Sequence, residues 1–150
     1  MSDPIAMVWN KERVIQKIYW SVDHYGRFNP QQYSQLESVL QKLDSAEVFE
    51  ILYTVLTNAN RPATRFADQE FAGRLLLALQ PTCSLEPTQA IQNLLKCYNL
   101  SIEEVPWYFA RQYGKPAVLG ILEKLKTEVV CEQQQQSIET WKWWLQEWKD

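Results

Sequence analysis

The sequence predicts an all-α fold, as a single-domain bundle or a short solenoid-like array of about seven to eight helices arranged as helical hairpins. Apolar residues recur at the 3.6-residue period of a helix, and no segment alternates like a half-buried strand. Caps, glycines and prolines separate these segments. At 150 residues the chain suits one domain, 1–150, with an N-terminal extension at 1–9 and a docked tryptophan-rich helix at 132–149.

The first two helices have clear start and stop signals. Asn10 is a suitable N-cap for a helix with one apolar side, and Gly26 is a suitable stop for it. Asn29 followed by Pro30 has the composition of a cap and first turn. The second helix should continue to about Leu43 with a polar outer side.

The third and fourth helices differ in how much of their surface is apolar. Asp44 begins a helix that is apolar over most of its circumference, so we expect that helix to be the central one. The fourth helix, roughly 66–79, should bury its leucines. Its acidic residues, Asp68 and Glu70, are predicted to form a solvated face.

A sharp corner is predicted between the last two helices before the C-terminal one. Ser101 and Glu104 have the spacing of a capping box, which predicts a helix start at Ser101. Pro106 conflicts with one continuous helix, so we favour a separate turn before it, with Pro106 opening the main helix. Gly114 can end this helix with a left-handed torsion, and Pro116 suits the first turn of the next.

The predicted helices fall into three consecutive pairs of similar length. Helical-hairpin repeats have this shape, since each pair packs on its neighbours. No consensus positions accompany the lengths, so an irregular bundle remains an equal alternative. The pairs are 30–44 with 45–59, 66–79 with 87–98, and 102–113 with 117–126.

Composition and charge argue against several classes of protein. The formal net charge is -3 and no basic run is present, so nucleic acid is not an expected partner. No stretch approaches the ~20 apolar residues of a membrane span. The N-terminus lacks the charged region and apolar run of a signal peptide. We therefore expect a cytoplasmic location.

The cysteines predict neither a disulfide framework nor a metal site. Cys83, Cys97 and Cys131 are odd in number and form no CxxC pair, and His24 is the only histidine that could join them. We interpret them as reduced thiols that act as small buried apolar residues. No cofactor is expected, because no phosphate-binding, zinc-protease or calcium-loop motif is present.

No catalytic constellation stands out in the sequence. His24 is expected to face solvent near a helix end. Arg61, Arg65 and Arg74 bracket the start of the fourth helix, where they could bind an anion or could be ordinary surface charge. An enzyme with an acidic or arginine-lined cleft therefore remains an alternative, but no residues can be assigned to it.

Aromatic clusters are the most informative feature. Trp107, Tyr108 and Phe109 are consecutive, so they lie about 100° apart around a helix and cannot all face one core layer. Either a central helix buries all three, or one or more of them contact a partner. In the last helix Trp144 belongs to the apolar stripe, whereas Trp143 lies about 100° from the centre of that stripe.

These clusters predict a protein-protein interaction module without catalytic activity, such as an adaptor, assembly factor or regulatory subunit. The candidate contacts are Trp107, Tyr108, Phe109, Trp143 and Trp144. The partner would be another protein or a second copy of the chain, and a structural homo-oligomer is the second alternative. Contact with a membrane surface is not expected, because the charges flanking the last helix are mixed.

Overall fold

The computed structural model describes residues 9–26, 29–128 and 131–147, which form α-helices, one short 3-10 helix at Pro62–Thr64 and no strand. The all-α prediction is confirmed. Most of the predicted N-terminal extension lies outside the described residues. The helices are α1 (Lys11–Tyr25), α2 (Pro30–Gln41), α3 (Ser45–Thr57), α4 (Arg65–Leu79), α5 (Pro87–Leu95), α6 (Glu104–Tyr113), α7 (Lys115–Glu128) and α8 (Glu132–Glu147).

Helix α4 lies at the centre of the bundle. It packs against α1, α2, α3 and α6, and its Phe71 and Leu75 have no exposed surface. Helix α3 buries a wide apolar face, as its sequence predicts, but it packs mainly against α1, α4 and α5. The prediction that α3 is the central helix is therefore wrong, because α4 has neighbours on more of its sides.

Gly73 allows α4 and α6 to approach closely. A Cβ atom at this position would lie 3.3 Å from Cγ2 of Ile102 and 3.5 Å from Cβ of Glu104. The absence of a side chain at Gly73 therefore sets the separation between the central helix and the segment that leads into α6.

The pattern of packing is that of an irregular bundle. Helices α6 and α7 pack together as predicted. Helix α2, however, packs mainly on α4 and α1, and α5 packs on α3 and α8. Of the two arrangements that the sequence left open, the structure has the bundle and not the array of successive hairpins.

The acidic residues of α4 are buried, which corrects the prediction of a solvated face. Asp68 is 3% exposed and Glu70 is 5% exposed. Asp68 accepts hydrogen bonds from Arg61 Nε at 2.9 Å and from Thr64 Oγ1 at 3.2 Å. Glu70 is paired with Arg74 at 3.1 Å. Burial of these carboxylates is possible because neighbouring side chains satisfy them.

Local sequence signals locate most helix ends correctly. Asn10 accepts a hydrogen bond from the Arg13 amide at 2.8 Å, and Asn29 accepts one from the Gln32 amide at 3.0 Å. Both predicted caps are confirmed. Asp44 occupies the N-cap position of α3, but its side chain forms no capping hydrogen bond.

The predicted capping box at Ser101 is wrong. The N-cap residue of α6 is Glu103, whereas the Ser101 amide donates to Asn99 Oδ1 at 2.9 Å in a preceding turn. A separate turn precedes α6, as favoured, but the helix begins at Glu104 and not at Pro106. Pro106 lies in the first helical turn, where its missing amide has no intrahelical partner to lose.

Arg61 connects the end of α1 to the start of α4. Its Nη2 lies 2.7 Å from Asp23 Oδ1, its Nε lies 2.9 Å from Asp68 Oδ2, and its guanidinium carbon lies 4.3 Å from the centre of the Tyr19 ring. The hydrogen bond from Arg61 lowers the pKa of the Asp23 carboxyl below its usual range.

We expect Gly114→Val to lower the free energy of unfolding by more than about 1 kcal/mol. Gly114 ends α6 at a φ of 90°, which a β-branched residue resists. Thermal or urea unfolding measures the effect. Gly120→Val is the matched control, because Gly120 lies in α7 with nothing near the position of an added Cβ. Equal stability of the two variants would contradict this account of the corner.

We expect the Asp23–Arg61 pair to contribute stability that is lost in acid. Because the folded pKa of Asp23 is lowered, its contribution is present above the unfolded pKa of about 4 and disappears as the pH falls through the lower folded pKa. Asp23→Asn should cost no more than about 1 kcal/mol at pH 7, since this ion pair is partly exposed.

Urea unfolding from pH 7 to pH 3 tests this expectation. The difference between wild type and Asp23→Asn should shrink towards the acid end. In an Arg61→Gln background, Asp23→Asn should have little effect at any pH, and a full-sized effect there would assign the stabilisation to another group.

Candidate protein-binding surface

Helix α8 is held to the bundle by one apolar side. Ile138, Trp141 and Leu145 have no exposed surface. The Trp141 ring lies 5.7 Å from the Tyr98 ring and 5.8 Å from the Phe109 ring, measured between centroids. This packing fixes the rotation of α8 about its axis, and therefore which tryptophans it leaves outside. Trp148 lies outside the described residues.

Two of the predicted contact residues lie in the core. Tyr108 and Phe109 are 0% exposed, and the Tyr108 hydroxyl donates to the Pro81 carbonyl at 2.6 Å. Their rings pack edge to face at 5.0 Å. These two side chains have no surface to offer a partner, so Tyr108 and Phe109 are withdrawn as candidate contacts. Burial of both follows from the position of α6 between α4, α7 and α8.

Trp107 and Trp144 lock α6 to α8. Trp107 Nε1 donates to the Trp144 carbonyl at 2.9 Å, and Trp144 Nε1 donates to the Leu100 carbonyl at 2.9 Å. The two rings meet edge to face with centroids 6.2 Å apart. Because both indole N–H groups have acceptors within the protein, the rings are fixed in place while remaining half-buried.

Trp143 extends this cluster into solvent. Its side chain is 52% exposed, the largest fraction among the large apolar residues that the structure describes. Its ring lies 4.5 Å from that of Trp144 in an edge contact. Leu100, at 36% exposed, borders the same cluster through its carbonyl bond with Trp144. We call Leu100, Trp107, Trp143 and Trp144 the tryptophan surface.

Carboxylates lie at the margin of the tryptophan surface. Glu147 follows Trp143 by four positions and Trp144 by three, so it projects from the same side of α8. Glu103 lies one turn before Trp107, whose amide donates to the Glu103 carbonyl at 3.3 Å. Among the described residues neither carboxylate forms an ion pair. Helical spacing therefore places two carboxylates near the tryptophan surface, and it places Arg111, four positions after Trp107, on the same side of α6.

The nearby lysine of α8 does not neutralise this margin. Lys142 lies on another side of the helix, where it hydrogen-bonds Glu123 of α7 and lies 3.9 Å from Glu139. The hydrogen bond with Glu123 raises the pKa of Lys142, and it lowers the pKa of Glu123. Lys142 thus belongs to the contact between α7 and α8.

The arginine cluster predicted as an anion site is mostly occupied by carboxylates. Arg61 is held by Asp23 and Asp68, and Arg74 is paired with Glu70. Arg65 is half-buried at the start of α4. Because the positive charges of Arg61 and Arg74 are already balanced, the structure does not favour an anion site there.

A polar cleft lies between α2, α4 and α6. This open cleft has a volume of about 430 Å³, and its lining combines Leu77 and Ala78 with the polar side chains of Tyr33, Arg74, Glu104 and Arg111. Burial raises the pKa of the Glu104 carboxyl. The cleft contains an acid and two cations, but no histidine, cysteine or serine is among its lining residues.

His24 and the three cysteines lie apart from the tryptophan surface and from the polar cleft. His24 is exposed near the end of α1, as predicted, and its Nδ1 lies 2.8 Å from the Trp20 carbonyl oxygen. The three cysteines are unpaired, with Cys83 and Cys97 half-buried and Cys131 exposed. The expectation that all three are buried is therefore wrong for Cys131.

Within the described residues no His, Cys, Asp or Glu side chains form a group of three or more that could hold a metal ion.

The described helices are also too short or too polar to cross a membrane. Comparisons of the chain with protein-family models, with curated proteins and with solved structures found no match.

Proposed function

We propose that this protein is a protein-binding module, acting as an adaptor, assembly factor or regulatory subunit, and that the tryptophan surface is its contact. The observation that carries the proposal is Trp143, a half-exposed indole packed against Trp144. Tryptophan is among the residues that most often supply binding energy at protein interfaces. Exposed apolar patches with a polar margin are typical of interaction surfaces.

The rigidity of the surface supports this assignment. Trp107 and Trp144 are held by hydrogen bonds to backbone carbonyls, so a partner would not have to order these side chains on binding. Pre-ordered contact groups lower the entropic cost of association. Trp143 retains an N–H group for which the described residues show no acceptor, and a partner carbonyl could supply one.

The two carboxylates near the rings favour a partner of complementary charge. Glu103 and Glu147 flank the apolar rings without an ion pair among the described residues. A complementary surface carries aromatic or aliphatic side chains flanked by lysine or arginine. A cytoplasmic setting is part of the proposal, since unpaired cysteines are typical of reducing compartments.

A second candidate function rests on the polar cleft. Burial raises the pKa of Glu104 beside Arg74 and Arg111, and a carboxyl whose pKa is shifted within a cleft is a recognised indicator of a catalytic or ligand-binding site. Glu70 and Glu104 oppose the two arginines, so the cleft has no strong net charge to select a ligand. We therefore rank an enzymatic role below protein binding.

We expect Trp143→Ala to weaken partner binding by about 2 kcal/mol, or roughly 30-fold, if Trp143 is a central contact. The melting temperature should stay within a few degrees of wild type, because the side chain is half exposed and α8 is anchored by other residues. Leu85→Ala is the matched control, since Leu85 is 39% exposed and lies outside the tryptophan surface. Leu85→Ala should change neither partner binding nor the melting temperature.

Quantitative pull-down from the host organism, run in parallel with wild type and both variants, measures partner binding. Proteins retained by wild type and by Leu85→Ala but lost with Trp143→Ala are the partners that the proposal requires. Equal retention by all three would contradict it. A much lower melting temperature of Trp143→Ala would instead assign Trp143 to the core.

A further inference from the structure

The polar cleft contains two groups of opposite charge that the described protein leaves without an ion pair. Glu104 and Arg111 both line the cleft, and neither is paired with another of the described residues. The other polar lining groups are already engaged. The Tyr33 hydroxyl donates to the Arg74 carbonyl at 3.1 Å, and Arg74 Nη2 lies 3.1 Å from Glu70 Oε1. Glu104 and Arg111 are therefore the charges that remain for a ligand.

Glu104 is held in place at the wall of the cleft. A Cβ atom at Gly73 would lie 3.5 Å from Cβ of Glu104, so α6 approaches α4 closely at this point. Glu104 is half-buried, and burial raises the pKa of its carboxyl although Arg74 acts in the opposite direction. A partly desolvated carboxylate with no bonded cation is stabilised by a cationic ligand, because the ligand replaces the water that burial removes.

Arg111 supplies the opposite charge further along the same helix. Residues seven positions apart complete nearly two turns, so Glu104 and Arg111 share one side of α6 with their Cα atoms about 10 Å apart. Arg111 is exposed. Its guanidinium group has parallel N–H donors whose geometry matches a carboxylate. The cleft thus has an acceptor for a cation at one end and a donor for an anion at the other.

Apolar surface completes the lining of the cleft. Leu77 and Ala78 of α4 contribute it, and the cleft volume of about 430 Å³ lies within the roughly 300–1,000 Å³ typical of small-molecule sites. Such sites combine an apolar wall with a few polar groups that fix the orientation of the ligand. Although the cleft has no strong net charge, separated charges of opposite sign select a ligand that carries both.

We propose that the polar cleft binds a small zwitterion, a molecule with an ammonium group and a carboxylate at the two ends of an apolar body. An ω-amino acid and a short peptide both have this chemistry. The Glu104 carboxylate accepts from the ammonium group, Arg111 donates to the carboxylate, and the body lies against Leu77 and Ala78. Because Glu104 and Arg111 are nearly two turns apart, the cleft favours charges separated by several bonds over those of an α-amino acid. This inference goes beyond the proposed protein binding and does not rest on it.

A titration followed by amide NMR tests the proposal with ε-aminohexanoate, hexanoate and hexylamine, which share an aliphatic body and differ in their charged ends. The zwitterion ε-aminohexanoate should bind saturably and shift amide signals of α4 and α6 around the cleft. Hexanoate and hexylamine should each bind at least about ten-fold more weakly, since each lacks one charged hydrogen bond. Trialanine is the peptide probe. Tighter binding of trialanine than of ε-aminohexanoate assigns the cleft to peptides, and weaker binding assigns it to ω-amino acids.

Two variants assign the two ends of the ligand. Arg111→Gln should weaken the binding of ε-aminohexanoate and hexanoate at least about ten-fold and leave hexylamine binding unchanged. Glu104→Gln should weaken the binding of ε-aminohexanoate and hexylamine and leave hexanoate binding unchanged. Lys124→Gln is the matched control for the loss of a positive charge, because Lys124 is exposed on α7 outside the cleft. It should bind all three compounds as wild type does.

Melting temperatures close to that of wild type establish that the variants are folded. Absence of saturable binding of both ε-aminohexanoate and trialanine overturns the proposal, and so does binding that Arg111→Gln and Glu104→Gln both retain in full. Trp143→Ala alters the tryptophan surface and not the cleft, so it should bind ε-aminohexanoate as wild type does, whatever its effect on partner capture. The zwitterion site and the proposed function can therefore fail separately.

Discussion

Enclosure of α4 by its neighbours is the constraint on which the rest of the structure depends. A helix surrounded on most sides must satisfy its polar side chains within the protein, because an unpaired buried polar group costs several kcal/mol. Gln69, at 2% exposed, shows how this is done: its amide nitrogen donates to the carbonyls of Leu56 and Cys97, and its oxygen accepts from the Asn99 amide. One side chain thereby connects the end of α3, the end of α5 and the loop that leads to α6. Gln69 therefore helps to fix the positions of α3, α5 and this loop relative to α4.

The tryptophan surface depends on this core through α6. Gly73 allows the segment that leads into α6 to lie close to α4, and this places Tyr108 and Phe109 in the interior. Trp141 then packs on Phe109 and orients α8. With that orientation fixed, Trp144 meets Trp107, and Trp143 is left outside. The exposure of Trp143 is therefore a consequence of where α8 docks and of which side it buries, and the same packing that stabilises the bundle presents the candidate contact.

Charge distribution gives the outer surfaces their distinct character. The chain has a formal net charge of -3, and the charged residues near its exposed rings differ from place to place: Glu147 follows Trp143 by four positions, whereas Lys17 lies over the Trp20 ring. Several other charged residues form ion pairs within the bundle, such as Lys142 with Glu123 and Arg61 with Asp23.

The sequence by itself determined the helical class, most helix ends and the outward position of Trp143, because each depends on residues within one or two turns. Asn10, Asn29 and Gly114 act through their own backbone neighbourhood, and helical spacing separates Trp143 from the buried side of α8. Only the tertiary structure decided that α4 is central and that its polar residues Asp68, Gln69 and Glu70 are buried. It also decided that Tyr108 and Phe109 lie in the core. Trp107, in contrast, is half-buried and hydrogen-bonded to the Trp144 carbonyl. Gln69 and Trp144 depend on distant partners, since Leu56 lies 13 positions from Gln69 and Leu100 lies 44 positions from Trp144. No local pattern encodes which distant carbonyl or ring will arrive beside a side chain, because packing of whole helices sets that.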